Sequence, residues 1–345
     1  MGHPSIENET PFVFEFMGMA DEEGRPLLLL LVKATYSIGD TKLEPAPEQV
    51  PVKWGGEAWG TPGESSDKYE PECAFIKPAT DVVLIGHAYA AKATTETWVA
   101  MQVGPLKKGL RVVGERTWFR SMGRVAMTKP LPFERMPLTW ERAFGGWDRS
   151  APDPKKHSFE PRNPVGTGFR VSPHPFEEEL RLPNLEDPEH PLREFGQKVP
   201  PAGFGFTSPH WQPRAAYAGT YDEAWDKTRK PLLPKDFDRR FFNAAPPGLV
   251  APGYLKGNEP VILTNVSPRG PLTFRLPAQP APTVTVERAS AEDATPDMRL
   301  DTVILDTDAH QVLLLWRGHV LLDEGLHDVR GIRITAEGVS RPKAD

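Results

Sequence analysis

The chain has 345 residues, of which 39 % are hydrophobic and 26 % charged, so a sizeable core can form and global disorder is excluded. A net charge of −6 argues against general binding to nucleic acid or to anionic membranes. The single cysteine, Cys73, excludes an intrachain disulfide and suits a reducing compartment.

Proline sets the architecture. The 39 prolines and 29 glycines make up about a fifth of the chain, against about 12 % in average usage. Each proline fixes φ and removes a backbone donor, which shortens helices and favours strands joined by rigid loops. The start, MGHPSIENETPF, lacks a basic segment followed by an apolar one. The longest apolar run, LLLLLV at 27–32, is too short to span a bilayer. The expected location is the cytoplasm, with no membrane contact.

Residues 12–52 read as a β meander, with strands near Phe12–Phe16 and Leu27–Ser37 separated by the turn signal Asp21-Glu22-Glu23-Gly24. Within the second run Val32, Ala34, Tyr36 and Ile38 share one face. Residues 53–80 read as loop. Four strand candidates follow at 81–90, 97–104, 110–119 and 122–128, spaced as in an antiparallel sandwich or barrel rather than in βαβ units.

From 130 to about 255 periodicity nearly vanishes. Two short helices are expected: one over Phe176–Leu182 after Pro175, and one in YDEAWDKTRKPLLP with Thr220 or Asp222 at its N-cap and Pro231 as its stop. The region holds Trp140, Trp147, Trp211 and Trp225 with many phenylalanines. Disordered segments are poor in aromatics, so the region is expected to be ordered and packed on the β core. Strands return at 260–267, 272–277 and 283–288, then as a hairpin over 298–320, and last at 329–335. The fold expected is mainly β: an antiparallel sandwich- or barrel-like core with long ordered loops and a few short helices. It should form one unit over 12–320, with an N-terminal meander (12–130), a loop-rich insert (131–258) and a C-terminal β segment (259–335).

Catalytic and metal signatures are missing from the sequence. There is no CxxC, no HExxH and no GxSxG, and the nine histidines are scattered. Gly104–Gly109 has P-loop spacing but is followed by Leu110. No cofactor or metal is expected. His87 reads as a core or edge histidine, Asp81 as a turn or cap residue, and Cys73 as a small half-buried one. What remains is an arginine–aromatic–glycine pattern at 142–147, 162–169, 211–214 and 238–243. Such side chains commonly hold long loops in place, because buried loop backbone must find partners. They are also the residues enriched in protein-binding hot spots.

Several segments resemble a bacterial family catalogued as "domain of unknown function 2169". They include KPATDVVLIGHAYA (77–90), PLTWERAFGG (137–146), NPVGTGF (163–169), WQPRAAYAGTYDEAW (211–225), LPKDFDRRFFNAAP (233–246) and LLLWRG (313–318). The resemblance implies a non-enzymatic adaptor or chaperone of type VI secretion. Its partners would be a secreted effector as cargo and the VgrG spike or its PAAR tip. It carries over Asp81, His87, Arg142, Phe144, Asn163, Trp211, Arg214, Tyr221, Asp222, Trp225, Asp238, Phe241 and Arg317 as motif positions, with no catalytic role. Trp147 and Phe169 join them as interaction or loop-anchoring residues from the same aromatic clusters. Two alternatives stay open: a carbohydrate-active hydrolase using carboxylates of 222–238, and a structural component of the secretion apparatus. Within 141–169, ERAFGG and NPVGTGF are expected to be ordered, part-buried anchors, with Arg142 bonded to backbone or carboxylate. The tip at about 148–160 should be exposed and mobile.

Overall fold

A continuous apolar run such as LLLLLV suits a strand buried on both faces, not one that alternates between core and water. The computed structural model describes residues 4–39, 42–171, 179–323 and 325–340. In it Pro26–Ile38 is the longest strand and lies inside a six-stranded sheet. Val13–Ala20 flanks it on one side. On the other side come Gln311–Leu321, Arg299–Asp306 and Asp81–Ile85 in turn, and the short strand Leu43–Pro45 pairs with its end. Leu28, Leu30, Val32, Ala34 and Tyr36 point into the main core. Leu27, Leu29 and Leu31 point the other way, onto Val52, Phe75 and Leu315. Each buried leucine is worth about 2 kcal/mol, so this strand fixes the sheet.

The segment expected as one strand over 81–90 is two. Asp81–Ile85 stays in the central sheet, where it runs parallel to Arg299–Asp306, a departure from the all-antiparallel expectation. His87–Thr94 leaves to pair with Phe133–Pro137. The break is at Gly86, whose φ is +154° and where a Cβ would come within 2.1 Å of Thr307 Oγ1. Only glycine fits that approach. The 110–119 candidate likewise divides into the ends of Leu106–Val113 and Thr117–Ser121.

A second, antiparallel sheet runs Leu185–Glu186, Leu106–Val113, Glu96–Val103, Pro260–Thr264, Leu272–Arg275. Its Val99, Met101, Leu110, Val261 and Leu263 join the same buried cluster as the central sheet. The two sheets therefore share a core in sandwich fashion. Strand makes up 40 % and helix 7 % of the structure, and among the described residues no sheet closes into a barrel. A third sheet joins the ends of the chain: Ser5–Asn8 runs parallel to Val329–Thr335, which pairs with Thr283–Arg288.

The insert carries little regular structure, as its proline content dictates. Glu223–Thr228 is its one α-helix among the described residues, with Asp222 accepting from the Trp225 N–H at 2.8 Å as the N-cap. Of the other expected helix, residues 172–178 lie outside the described residues, and Leu180–Arg181 is a strand beside Thr117–Trp118. The insert is nonetheless firmly seated: Phe204, Phe206, Trp211, Ala244 and Leu249 are buried in the main core. Phe144, Phe169 and Leu182 form a satellite cluster with Trp118.

Candidate functional site

The two glycine-rich motifs of the insert meet. Phe144-Gly145 pairs in parallel with Thr167-Gly168. Asn163, fully buried, donates from Nδ2 to the Trp140 and Phe144 carbonyls at 2.8 and 3.0 Å. Its own carbonyl accepts from the Gly146 N–H at 2.9 Å. Gly145 has a φ of +152°, and a Cβ there would lie 2.1 Å from the Asn163 carbonyl oxygen. Arg142 donates to the Glu115 carboxylate and, at 3.0 Å, to Asn184 Oδ1. Both anchors are thus ordered, ERAFGG mostly buried and NPVGTGF part-buried, with Phe144 and Phe169 inside the satellite cluster.

Between the anchors the chain projects as a hairpin. Trp147-Asp148 pairs with Ser158-Phe159, and the Trp147 and Phe159 rings stack at 4.5 Å with 47 % and 41 % of their residues exposed. The guanidinium of Arg149 lies 5.1 Å from the centre of the Trp147 ring. At the base, buried Asp148 pairs with Arg170 and accepts from the Ser150 hydroxyl. Of the tip expected to be exposed over about 148–160, residues 152–156 are exposed, whereas Asp148, Ala151 and Glu160 are buried; the tip is a shaped turn, in which Pro154–Lys156 forms a 3-10 turn capped by Asp153.

A different set of motif residues converges below the central sheet. Lys33 sits in the leucine strand, wholly buried, and its ammonium contacts Glu72 at 2.7 Å. Lys77 bridges Glu70 and Asp81, the latter at 2.8 Å. Asp81 also accepts from Asn243 Nδ2 and from the Ala244 N–H. Arg214 reaches Glu70 at 3.0 Å and caps the Phe241 and Thr207 carbonyls. Arg317 pairs with Asp301 and donates to the Glu72 and Ala74 carbonyls. Four cations (Lys33, Lys77, Arg214, Arg317) meet four carboxylates (Glu70, Glu72, Asp81, Asp301). Burial pushes the Lys33 ammonium down, against the pull of Glu72. It also pushes Glu70 up, against Lys77 and Arg214. At Lys77 burial opposes the charge, but Asp81 and Glu70 outweigh it and hold the pKa above that of an ordinary lysine. A seam this well matched ties the insert, through Arg214 and Asn243, to strands from both ends of the chain.

The sequence reading placed Asp81, Arg214 and Arg317 separately; the fold unites them. It missed Lys33, Glu70, Glu72, Lys77 and Asp301. One signal was available: a lysine inside a strand buried on both faces requires a carboxylate partner.

The other predicted residues are dispersed. His87 Nδ1 lies 2.6 Å from Asp308, at the end of its strand. Trp211 is fully buried, edge-on to Trp140. Tyr221 is exposed and packs edge-on against Trp225, whose indole donates to the Leu232 carbonyl. Phe241 packs among Phe237, Phe242 and Arg214. The carboxylates of 222–238 are all engaged: Asp222 as a cap, Glu223 with Lys227, Asp226 with Lys230, Asp236 with Thr220, Asp238 with Arg240. Hydrogen bonds from Thr220 hold Asp236 below the usual carboxylate range, and Arg240 does the same for Asp238.

A cleft of about 440 Å³ opens between Lys108, Trp140, Arg162, Asp187, Pro201 and Pro213. Lys108 donates to the Pro247 carbonyl at 3.0 Å, and burial lowers its ammonium to about 8 despite the opposing pull of Asp187. Among the described residues no group of three or more His, Cys, Asp or Glu side chains is placed to hold a metal ion. No helix among them is long and apolar enough to cross a membrane.

No curated protein and no solved structure matches the chain. A family model does, over residues 23–317, a span that takes in most of the central sheet, the buried seam and the whole insert. The chain therefore belongs to the family described as "Uncharacterized protein conserved in bacteria (DUF2169)".

Proposed function

We propose that this protein is a non-enzymatic adaptor or chaperone that binds a type VI secretion effector and helps load it onto the VgrG spike or PAAR tip. One observation carries the reading. The insert uses internal ion pairs and buried asparagines to hold its loops, and it leaves a stacked aromatic pair with three exposed cations on a projecting hairpin. A rigid scaffold that presents loops is what a binding protein needs. The secretion setting rests on the motif resemblance of ERAFGG, NPVGTGF and the AGTYD and DFDRRFFN segments.

The hydrolase alternative draws no support from 222–238. A general acid needs a carboxyl with a raised pKa facing a second carboxylate across a substrate cleft. Asp236 and Asp238 are shifted the opposite way, and each is bonded to a local partner.

The test is co-expression of the tagged full-length chain with the effector and spike proteins encoded in its genomic neighbourhood. Capture of the effector, with or without the spike, is expected. Capture of neither contradicts the proposal, and capture of the spike alone favours a structural component of the apparatus.

A further inference from the structure

We infer that the Trp147–Phe159 hairpin is the docking element and that its occupant is an acidic segment of the protein partner; this rests on the adaptor reading. Two large rings stack on each other at the surface, and each residue keeps more than 40 % of its area exposed. The hairpin is nonetheless built rather than loose. Asp148 ties its base to Arg170 and Ser150, Glu160 binds the Arg162 guanidinium with two oxygens, and Asp153 caps the turn at its tip. An aromatic pair held ready on a braced loop lowers the ordering cost of association.

Charge names the occupant. Elsewhere in the insert arginines are spent on carboxylates, as with Arg142, Arg162, Arg170, Arg214, Arg229 and Arg240. Arg149, Lys155 and Lys156 are exposed, and among the described residues none has a carboxylate within ion-pair distance. Asp153 is the one exposed acid between Trp147 and Phe159. The hairpin is therefore a basic projection on a chain whose net charge is −6. Complementary charge steers encounter and sets orientation, while Trp and Arg supply hot-spot energy. A long polyanion would run past the hairpin onto a chain of net charge −6 and be repelled there, which favours an acidic stretch short enough to stay on the hairpin.

The experiment uses the full-length chain, the effector it captures, and an array of overlapping peptides tiling that effector. Single-stranded DNA is included as a rival probe. Two variants are made: W147A/F159A, and the charge reversal R149E/K155E/K156E, each checked for an unchanged melting profile. The array is expected to light up at net-negative tiles. Each variant should lose about tenfold or more in effector affinity, and wild-type binding should weaken as salt is raised. If the wild type captures the effector and both folded variants capture it equally well, the hairpin is not the docking element, although the adaptor reading survives. Binding confined to neutral or basic tiles, or stronger for DNA than for any tile, also overturns the inference. If the wild type captures nothing, the adaptor reading itself fails.

Discussion

The seam beneath the central sheet and the hairpin at 147–159 are made of the same materials, arginine, lysine, aromatic and acidic residues, yet they have opposite surroundings. In the seam, Lys33, Lys77, Arg214 and Arg317 are almost wholly removed from water and each has a carboxylate. On the hairpin, Arg149, Lys155 and Lys156 stand in water beside a stacked Trp–Phe pair. A buried charge must be matched or the fold fails; an exposed, unmatched one costs the fold little and is free to serve a partner. The comparison teaches that an arginine–aromatic motif has no fixed meaning. Whether a carboxylate lies within reach decides whether the motif holds structure or offers contact.

The largest effect should come from breaking the seam. Asp81→Ala strips Lys77, Asn243 and the Ala244 N–H of a shared acceptor. Uncompensated buried charge of this kind costs about 3–5 kcal/mol, readable as a lower midpoint in chemical denaturation. A loss below about 1 kcal/mol would show that the seam is not structural. Next comes Asn163→Ala, which removes the side-chain donor from the Trp140 and Phe144 carbonyls and leaves Trp140 only the Ala143 N–H. The expected loss is about 1–3 kcal/mol, with faster hydrogen exchange across 143–169. Asp222→Ala should cost about 1 kcal/mol through the lost cap, with exchange rising locally in Glu223–Thr228 and nowhere in the central sheet.

Substitutions on the hairpin should barely register as stability. Removing both rings of the Trp147–Phe159 stack should cost about 1 kcal/mol at most, while partner capture falls sharply. A separate effect concerns pH. Burial depresses Lys108 from 10.5 to about 8 in the folded chain. Between these values the unfolded chain binds more protons, so stability should rise as pH increases from about 8 to about 10.5. Lys108→Met should flatten that rise in a denaturation series, and an unchanged slope would mean Lys108 is not the group responsible.

Much of the β framework was legible in the sequence, because period and length carry it. The run 27–32, the hairpin over Arg299–Leu321 and the last strand Val329–Thr335 all form where their patterns predict. The sequence offered Thr220 or Asp222 as the helix cap for the same local reason, and Asp222 is the one that caps. What local patterns could not show was partnership at long range. The parallel pairing of Asp81–Ile85 with Arg299–Asp306 joins residues more than two hundred positions apart. Arg214 reaches Glu70 only once the insert has met the N-terminal part of the chain, and Arg317, which finds Asp301 within its own hairpin, reaches the Glu72 and Ala74 carbonyls only across the fold. Gly86 was visible as a glycine, but the close approach of Thr307 that demands it was not. Arg142 and Trp147, five residues apart in one motif, were alike on the page. One proved to be tied to Glu115 and Asn184, the other to be exposed.

The most direct measurement is hydrogen exchange by mass spectrometry on the full-length chain, free and bound to the captured effector. The account predicts new protection concentrated over residues 147–159, with the strands around Lys33, Asp81 and Arg317 unchanged because they are already closed. Protection in the cleft between Lys108 and Pro213 with none at the hairpin would contradict it.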